Sequence, residues 1–361
     1  MAPLFSSVLV IGLGKVGELL ARLLHRSGMA VTGADLRPGG TLPFPVRDLD
    51  VHDRAALDRA LAGAEAVVSC LPYRHNRPVA EAAAAAGVHY FDLCEDVGNA
   101  RRVEELSSGA GAVLVPCCGL APGLIAVVGA ALLRGFDRAH AVELKVGALP
   151  RNPSGLLGYA FNWSPEGVVN EYLNDCEVIR DGRARTVPSM SDLESVWIDG
   201  TQLEAFTTSG GLGTMCTTFE GQVDRLDYKT LRYPGHCQLM RFLFDELHLR
   251  QDRELAGRIL VSAKPPVDDD VVYLYAAAEG QRAGLHVREQ VVRSWSPLAV
   301  DGRRWRAISW TTAASACAVV ELVAGGQLPA RGLIRQEDVS YEAFVATTGG
   351  RLFDQAPSVA A

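Results

Sequence analysis

The sequence predicts an α/β protein of two domains. Three observations predict it: a glycine-rich loop follows the first apolar segment, strand and helix patterns alternate over residues 1–125, and the pattern changes after about residue 140. At 361 residues, the chain exceeds the size at which one hydrophobic core stops growing. We expect a doubly wound parallel sheet, followed by a second α+β domain with a mixed or mostly antiparallel sheet.

The first apolar segment runs into a loop whose glycines have the spacing G-x-G-x-x-G, at Gly12, Gly14 and Gly17. In a dinucleotide site, the first glycine allows a tight turn, the second lets the backbone approach a pyrophosphate, and the third lets helix and strand pack closely. Apolar residues follow at helical spacing, namely Val16, Leu19, Leu20, Leu23 and Leu24. This context predicts a Rossmann sheet that binds a dinucleotide rather than a plain turn.

The second predicted strand ends at Asp35, which lies 18 residues after Gly17. An acidic residue at about this distance binds the ribose hydroxyl of NAD, and its charge repels the 2′-phosphate of NADP. Arg37 follows and offers that phosphate a partner, so we expect NAD, with NADP as the alternative. The other residues assigned to the cofactor are Lys15 and Val16 in the loop, Asp50 and Val51 after the third strand, and Leu71 and Pro72 after the fourth.

The parallel sheet is predicted from short apolar segments that alternate with helical ones. The strands are predicted at residues 8–11, 30–34, near 46, 66–70, 89–93 and 112–115, and the helices at 53–61, 78–86 and 101–107. A further helix begins after Pro122, a good first helical residue, and leads out of this domain. We expect residues 1–125 to form the dinucleotide-binding domain, and 311–361 to return to it as a C-terminal helical segment.

Residues 126–310 are predicted to form the domain that binds substrate and assembles the oligomer. Residues 285–290 alternate apolar and polar side chains, typical of a half-exposed strand, whereas 271–278 resemble a buried strand. A helix over 312–323 is ended by Gly325 and Gly326.

Composition argues against several classes of protein. The net charge of −7 gives no general attraction to nucleic acid or anionic membranes. The eight cysteines form neither a C-x-x-C pair nor a zinc spacing, so we expect no metal and reduced thiols in a cytoplasmic protein. No signal peptide is apparent. Residues 110–133 are uncharged, but their prolines and glycines favour a strand, a turn and a helix over a membrane span.

In an open parallel sheet, ligands bind beyond the carboxyl ends of the strands. The segments that follow predicted strands therefore carry the candidate site. They are Leu71-Pro72-Tyr73-Arg74-His75-Asn76, Tyr90-Phe91-Asp92-Leu93-Cys94-Glu95-Asp96, Pro116-Cys117-Cys118-Gly119-Leu120-Ala121-Pro122-Gly123, and, in the second domain, Thr230-Leu231-Arg232-Tyr233-Pro234-Gly235-His236.

With the glycine loop, these segments resemble the saccharopine dehydrogenase superfamily and, within it, most closely the lysine 6-dehydrogenases. The segment Trp163-Ser164-Pro165-Glu166-Gly167 adds to the likeness, which extends to about residue 240 and weakly into the C-terminal helix. There are two departures. Ala121 stands where saccharopine reductases usually have aspartate, and Glu95 and Asp96 stand where the lysine enzymes have small residues.

The resemblance implies oxidation at a carbon that bears nitrogen, with hydride passing to the nicotinamide and water hydrolysing the imine. It implies the side-chain amine of L-lysine as substrate, giving the 6-semialdehyde, which cyclises to piperideine-6-carboxylate. It also implies a homodimer or larger homo-oligomer.

Such a reaction needs a base for the ammonium group and a cation for the carboxylate of the amino acid. Asp92 is the candidate base or ammonium anchor, Glu95 competes with it, and a helix N-cap is the alternative role for Asp92. Arg232 is the candidate carboxylate clamp. His236 assists the clamp, shuttles a proton or is a structural histidine. Tyr73 lines the nicotinamide pocket or packs in the core.

Three more residues are assigned to the substrate. Tyr233 follows Arg232 and stiffens the exit from its strand. Cys118 either touches substrate or, with Cys117, is an inert buried thiol. Trp163 belongs either to a loop that closes over the substrate or to an interface.

Two other functions stay open. The same fold can condense an amine with a carbonyl compound reductively, as in saccharopine or carboxynorspermidine formation, although Ala121 disfavours saccharopine. A non-catalytic, dinucleotide-binding regulatory protein is the third hypothesis.

Overall fold

The computed structural model describes residues 3–37, 39 and 41–355. These residues form two compact units. One consists of the chain up to Val127 together with Ser309–Gln355, and the other of Val128–Ile308. Residues 356–361, at the end of the predicted C-terminal segment, lie outside the described residues.

The first unit contains a seven-stranded sheet in which every pair is parallel. Its strands are β1 (Ser7–Ile11), β2 (Ala30–Asp35), β3 (Val46–Asp48), β4 (Ala66–Ser69), β5 (His89–Asp92), β6 (Val113–Val115) and the short strand Gly332–Leu333. The order β3-β2-β1-β4-β5-β6, with Gly332–Leu333 beside β6, is that of a dinucleotide-binding sheet. The predicted parallel sheet is confirmed. The ends of β1, β2, β4, β5 and β6 lie within one residue of the prediction, β3 contains the predicted residue 46, and Gly332–Leu333 was not predicted.

Helices flank this sheet. Those wholly within the first unit are Gly17–Arg26, Arg54–Leu61, Asn76–Ala86, Val97–Ser107, Tyr341–Ala346 and Arg351–Gln355, with 3-10 turns at Tyr73–His75 and Gln336–Asp338. The helix predicted over 101–107 begins four residues earlier, at Val97, because the Asp96 carboxylate accepts the Asn99 N–H at 2.9 Å and caps it. One buried core joins strands and helices, including Leu9, Leu57, Val67, Val79 and Leu114.

Two helices, Leu124–Leu133 and Ala307–Ala324, run across the boundaries between the units along the chain. Among the described residues, Ala307–Ala324 alone is long and apolar enough to cross a membrane, and 83% of it is buried within the protein. Residues 110–133 contain the separate elements Val113–Val115 and Leu124–Leu133, as expected for a strand, a turn and a helix.

The second unit is built on an eight-stranded mixed sheet. Its strands are β7 (Arg138–Pro150), β8 (Cys176–Arg180), β9 (Arg183–Val187), β10 (Glu194–Ile198), β11 (Thr201–Thr207), β12 (Arg225–Arg232), β13 (Asp270–Arg282) and β14 (Leu285–Trp295). The order is β10-β11-β12-β7-β13-β14, with β8 pairing to β12 and β9. Only β7 and β12 pair in parallel, so the predicted mixed sheet is confirmed.

Shorter elements complete this unit. They are a hairpin of Leu298–Val300 with Arg303–Trp305, the helices Pro165–Leu173, Met215–Phe219, His236–Arg241 and Arg253–Ala263, a π-helical turn at Phe242–Glu246 and a 3-10 turn at Leu249–Gln251. Ser164 caps the helix Pro165–Leu173 by accepting the Gly167 N–H, and Pro165 stands in its first turn. This helix packs on Arg253–Ala263 and buries Val168, Val169 and Tyr172.

Asp270 anchors the start of the helix Ala307–Ala324. Its fully buried carboxylate accepts the N–H groups of Ala307 and Ile308 at 2.6 and 3.1 Å. We expect Asp270→Ala to lower the free energy of urea unfolding by about 2 kcal/mol, because two buried donors lose their acceptor. Asp269→Ala removes only exposed ion pairs to Arg151 and Arg304, so we expect a loss below about 1 kcal/mol. Equal losses in the two variants would show that the carboxylate of Asp270 does not anchor the helix.

Candidate functional site

The glycine loop has the geometry that a pyrophosphate requires. Gly12 has a φ of +91°, which glycine adopts readily. A Cβ on Gly17 would lie 1.8 Å from the carbonyl oxygen of Gly12, so helix and loop touch through backbone alone. A Cβ on Gly14 would meet nothing within 4 Å, which leaves the backbone there open to a ligand. Among the described residues, no side chain caps the helix Gly17–Arg26, as befits a helix end that receives phosphate.

Asp35 ties the end of β2 to this loop. Its Oδ2 accepts the Leu13 N–H at 2.7 Å and its Oδ1 accepts the Arg37 N–H at 3.0 Å. The carboxylate therefore orders the glycine loop and also places a negative charge where a ribose hydroxyl would bind. Leu71 is the other predicted cofactor residue beside the loop, since its Cδ2 would lie 3.1 Å from a Cβ on Gly12.

The remaining residues assigned to the cofactor occupy varied environments. Lys15, Arg37 and Pro72 are exposed and Val16 is half-buried. Asp50 is exposed, and its carboxylate accepts the His52 N–H, while Val51 packs against the core of the first unit. The structure thus brings together the loop, Asp35 and Leu71 within the first unit.

Asp92, the last residue of β5, is fully buried. Its Oδ1 accepts the N–H groups of Cys94 at 2.9 Å and Cys117 at 3.0 Å, and so joins the carboxyl ends of β5 and β6. Its Oδ2 has no hydrogen-bond partner among the described residues. Burial raises the pKa of Asp92 to about 6, although the two N–H groups and Tyr90 favour the charged form.

The helix cap considered for Asp92 is made by Asp96 instead. Glu95, between them, is half-buried, and burial together with the charges of Asp96 and Asp92 raises its pKa to about 7. The fifth strand therefore ends in two interacting carboxyl groups that titrate near neutrality. Such a pair suits proton transfer at physiological pH.

The nearby thiols are enclosed. Cys117 and Cys118 are buried, and burial holds the pKa of each thiol well above its usual range. The Cys118 thiol donates to the Val115 carbonyl oxygen at 3.3 Å and accepts from Gln336 Nε2 at 3.4 Å. This environment favours the inert alternative for both cysteines. Tyr73 is half-buried, and its carbonyl oxygen accepts from Asn99 Nδ2 at 2.7 Å.

In the second unit, Arg232 at the end of β12 is enclosed among aromatic side chains and is 3% exposed. Its Nε donates to Tyr172 Oη at 2.7 Å and one terminal nitrogen donates to the Leu231 carbonyl oxygen at 2.8 Å. The guanidinium carbon lies 4.8 Å from the centre of the Tyr159 ring. Among the described residues, no carboxylate lies within ion-pair distance of it, although the charge of Glu171 favours its protonated form.

His236 is buried beside the same tyrosine rings, Tyr159 and Tyr172. Its Nε2 lies 3.0 Å from Tyr172 Oη, and its Nδ1 lies 2.8 Å from the Leu157 carbonyl oxygen. Burial and the charge of Arg232 lower the pKa of His236 to about 3, so the ring is neutral at physiological pH. With both nitrogens engaged and the ring uncharged, this geometry favours the structural alternative for His236.

The loop that links β12 to the helix His236–Arg241 is held by Glu204 on β11. Its carboxylate accepts the N–H groups of Gly235 and Cys237 at 2.8 and 2.6 Å. Tyr233 donates to the Pro150 carbonyl oxygen at 2.9 Å. Trp163 is half-buried and donates to Tyr159 Oη at 3.2 Å, so it lies beside the ring that faces Arg232.

The sequence did not point to Tyr159, Tyr172 or Glu204. A tyrosine on the buried face of a helix, or two residues before a phenylalanine, looks like core packing, and Glu204 lies within a strand. Their roles depend on contacts between distant segments, such as the pairing of Glu204 with Arg232 across β11 and β12. Among the described residues, no group of three or more His, Cys, Asp or Glu could hold a metal ion.

Two family models match the chain. Residues 8–112 match the saccharopine dehydrogenase NADP binding domain, and residues 119–348 match the saccharopine dehydrogenase C-terminal domain. Among curated proteins, the saccharopine dehydrogenase [NADP(+), L-glutamate-forming] of Pyricularia oryzae is 26% identical over 260 residues, 66% of this chain and 57% of that protein. The enzyme of that name from Saccharomyces cerevisiae is 29% identical over 224 residues, 56% of this chain and 48% of the yeast protein. The chain thus spans about half the length of these relatives.

Solved structures share the fold. The apo saccharopine dehydrogenase (L-Glu forming) from Saccharomyces cerevisiae superposes with a TM-score of 0.72 at 17% identity, covering 94% of this chain and 95% of that one. The homospermidine synthase from Legionella pneumophila in complex with NAD superposes with a TM-score of 0.65 at 12% identity, covering 98% of this chain and 91% of that one. At these identities, the likeness establishes the fold alone.

Two glycines of the loop allow a test in which each substitution is a control for the other. We expect Gly17→Ala to lower the free energy of unfolding by about 2 to 3 kcal/mol, since its Cβ would overlap the Gly12 carbonyl. Gly14→Ala has open space, so we expect stability within about 1 kcal/mol of the parent but about tenfold weaker binding of NAD or NADP. Urea unfolding and titration of the cofactor by fluorescence measure the two effects. Unchanged cofactor affinity in Gly14→Ala would place the pyrophosphate elsewhere.

Proposed function

Because this chain belongs to the saccharopine dehydrogenase family, as the matches over residues 8–112 and 119–348 show, we propose that it is an NAD(P)-dependent oxidoreductase that deaminates the side-chain amine of an amino acid, L-lysine first. The observation that carries the substrate class is the buried guanidinium of Arg232, which has no carboxylate within ion-pair distance among the described residues. That the protein works in the cytoplasm as a homodimer or larger assembly stays a prediction from the sequence.

The first unit is the dinucleotide-binding domain of the family. A bound nicotinamide supplies the hydride acceptor. We assign the pyrophosphate to the loop of Gly12, Gly14 and Gly17, whose backbone fits it, and the adenosine ribose to Asp35. Asp35 already carries a negative charge at the end of β2, which supports a preference for NAD over NADP.

Arg232 supplies the positive charge for the carboxylate of the amino acid. Burying a charge costs several kcal/mol, and the hydrogen bonds of Arg232 and the charge of Glu171 offset only part of that cost. A ligand of opposite charge would offset more of it on binding. The planar fork of arginine can bind both oxygens of one carboxylate, which fixes the substrate in orientation as well as position. This favours an amino acid over a simple diamine.

A carboxylate of the protein must accept a proton from the ammonium group of the substrate before oxidation. The side-chain amine of lysine has a pKa of about 10.4 and is protonated at neutral pH, so its nitrogen must lose a proton before the adjacent carbon can lose hydride. Asp92 is fully enclosed and holds two backbone N–H groups, whereas Glu95 is only half-buried. We therefore assign proton transfer to Glu95 and the positioning of its turn to Asp92.

Reductive condensation of an amine with a carbonyl compound is the second candidate. The relatives reported above favour it, since their names are those of saccharopine dehydrogenases and a homospermidine synthase. A condensing enzyme also needs a dinucleotide, a carboxylate clamp and a base, so these residues serve either reaction. Direct assay separates the two.

The assay follows absorbance at 340 nm with the purified protein, NAD or NADP, and a panel of amines at alkaline pH. We expect turnover of L-lysine, a higher KM for cadaverine, which lacks the carboxylate, and a rise of about a hundredfold in the KM for L-lysine in Arg232→Met. Formation of a stable secondary amine from NADPH, an amine and a keto acid would favour condensation. Cofactor binding without turnover of any substrate in either direction would favour the regulatory hypothesis.

The assignment of Glu95 as the base leads to a separate prediction. Glu95 must be deprotonated to act, so we expect kcat/KM to rise with pH through about 7, the pKa of Glu95. Glu95→Gln should lower kcat by a factor of about a hundred or more while cofactor affinity is retained, and Glu105→Gln, on the exposed face of Val97–Ser107, serves as control. Retained activity in Glu95→Gln, with loss in Asp92→Asn, would move the role to Asp92.

A further inference from the structure

We propose that Tyr172, which no sequence motif singles out, is the positioning residue that fixes the guanidinium of Arg232, and that His236 fixes Tyr172 in turn. The inference rests on the proposed role of Arg232 as the clamp for a substrate carboxylate. It concerns a chain of contacts that lies wholly within the second unit.

The hydrogen bonds run in one direction. The Leu157 carbonyl oxygen can only accept, so Nδ1 of His236, 2.8 Å away, carries the ring proton. Because the ring is neutral, Nε2 is an acceptor, and the Tyr172 hydroxyl donates a hydrogen bond to it at 3.0 Å. The Tyr172 oxygen then has its lone pairs free to accept from Nε of Arg232 at 2.7 Å. Each donor in the chain thus has one acceptor.

This chain sets which edge of the guanidinium faces a ligand. The Nε edge is occupied by Tyr172, and one terminal nitrogen also donates to the Leu231 carbonyl oxygen. The guanidinium carbon lies over the Tyr159 ring, 4.8 Å from its centre. The other terminal nitrogen has no hydrogen bond to a described residue. The outer edge, with both terminal nitrogens, therefore remains for a carboxylate.

The arrangement is fixed before any ligand binds. The helix Pro165–Leu173 is capped by Ser164 and buried against the core, so the Tyr172 ring cannot move away without unpacking that helix. Glu204 holds the N–H groups of Gly235 and Cys237 on either side of His236. A pre-oriented guanidinium loses less conformational entropy when a carboxylate binds.

The test compares Tyr172→Phe with Tyr228→Phe. The first substitution keeps the aromatic ring but removes the oxygen that accepts from Arg232. The second removes a hydroxyl from another buried tyrosine, on the same strand as Arg232, that has no hydrogen bond to the guanidinium. With L-lysine and cadaverine as substrates, we expect Tyr172→Phe to raise the KM for lysine about ten- to a hundredfold, with kcat within about twofold and the KM for cadaverine unchanged. Tyr228→Phe should leave both KM values near those of the parent.

A second measurement does not depend on turnover. In protein labelled with 15N-arginine, we expect the Nε–H of Arg232 to give a resonance that exchanges slowly with water, and Tyr172→Phe to make it exchange rapidly. In protein labelled with 15N-histidine, we expect His236 in the neutral form protonated at Nδ1. Urea unfolding confirms that both tyrosine variants are folded.

Two results would overturn the proposal. One is a slowly exchanging Arg232 Nε–H in folded Tyr172→Phe. The other is a KM pattern without specificity, in which the KM rises equally for lysine and cadaverine or rises as much in Tyr228→Phe as in Tyr172→Phe. If no amine is turned over but the resonances behave as expected, Tyr172 is established as the positioning residue and the proposed substrate class is at fault.

Discussion

A guanidinium surrounded by tyrosine rings, with no carboxylate within ion-pair distance among the described residues, is the constraint on which the second unit depends. Burial of an ion usually requires a counter-charge, and here hydrogen bonds and aromatic faces provide only part of the compensation. The strand β12, the helix Pro165–Leu173 and the loop before His236–Arg241 are all arranged around Arg232. In the proposed function, this cost is offset when a ligand that carries an acid group binds.

The first unit buries a group of opposite charge, the carboxylate of Asp92. Asp92 is an anion at the end of a buried parallel strand, and one of its oxygens has no hydrogen-bond partner among the described residues. Its folded-state pKa of about 6 lies above the usual value of 3.8, so the free energy of unfolding falls as the pH rises from 3.8 to about 6 and the full penalty remains above that. Buried ionisable residues that lower stability in this way are typical of functional sites, because selection for folding alone would replace them with apolar residues. Both units therefore carry polar groups that their cores do not need.

Local patterns determined what could be predicted from the sequence. Strands β1, β2, β4, β5 and β6 were located within one residue because apolar runs and turn residues mark their ends, whereas Gly332–Leu333 was not predicted, since two residues carry no such pattern. The start of Val97–Ser107 was missed because the cap is Asp96, one of three acidic residues close together. The order of the second sheet could not be predicted, since the parallel pairing of β7 with β12 joins segments that are far apart in the chain. For the same reason, Arg232 could be proposed from its place after a strand, whereas Tyr172 could not.

The short strand Gly332–Leu333 has a consequence for how the protein is made. It completes the edge of the first sheet beside β6, and Gln336 just after it donates to the Pro116 carbonyl oxygen at 2.9 Å. During synthesis, the six earlier strands leave the ribosome long before this segment does. The β6 edge, with its unpaired backbone groups, is then open to pairing with other nascent chains. The sheet that starts at β1 therefore closes only after the second unit and Gly332–Leu333 have left the ribosome.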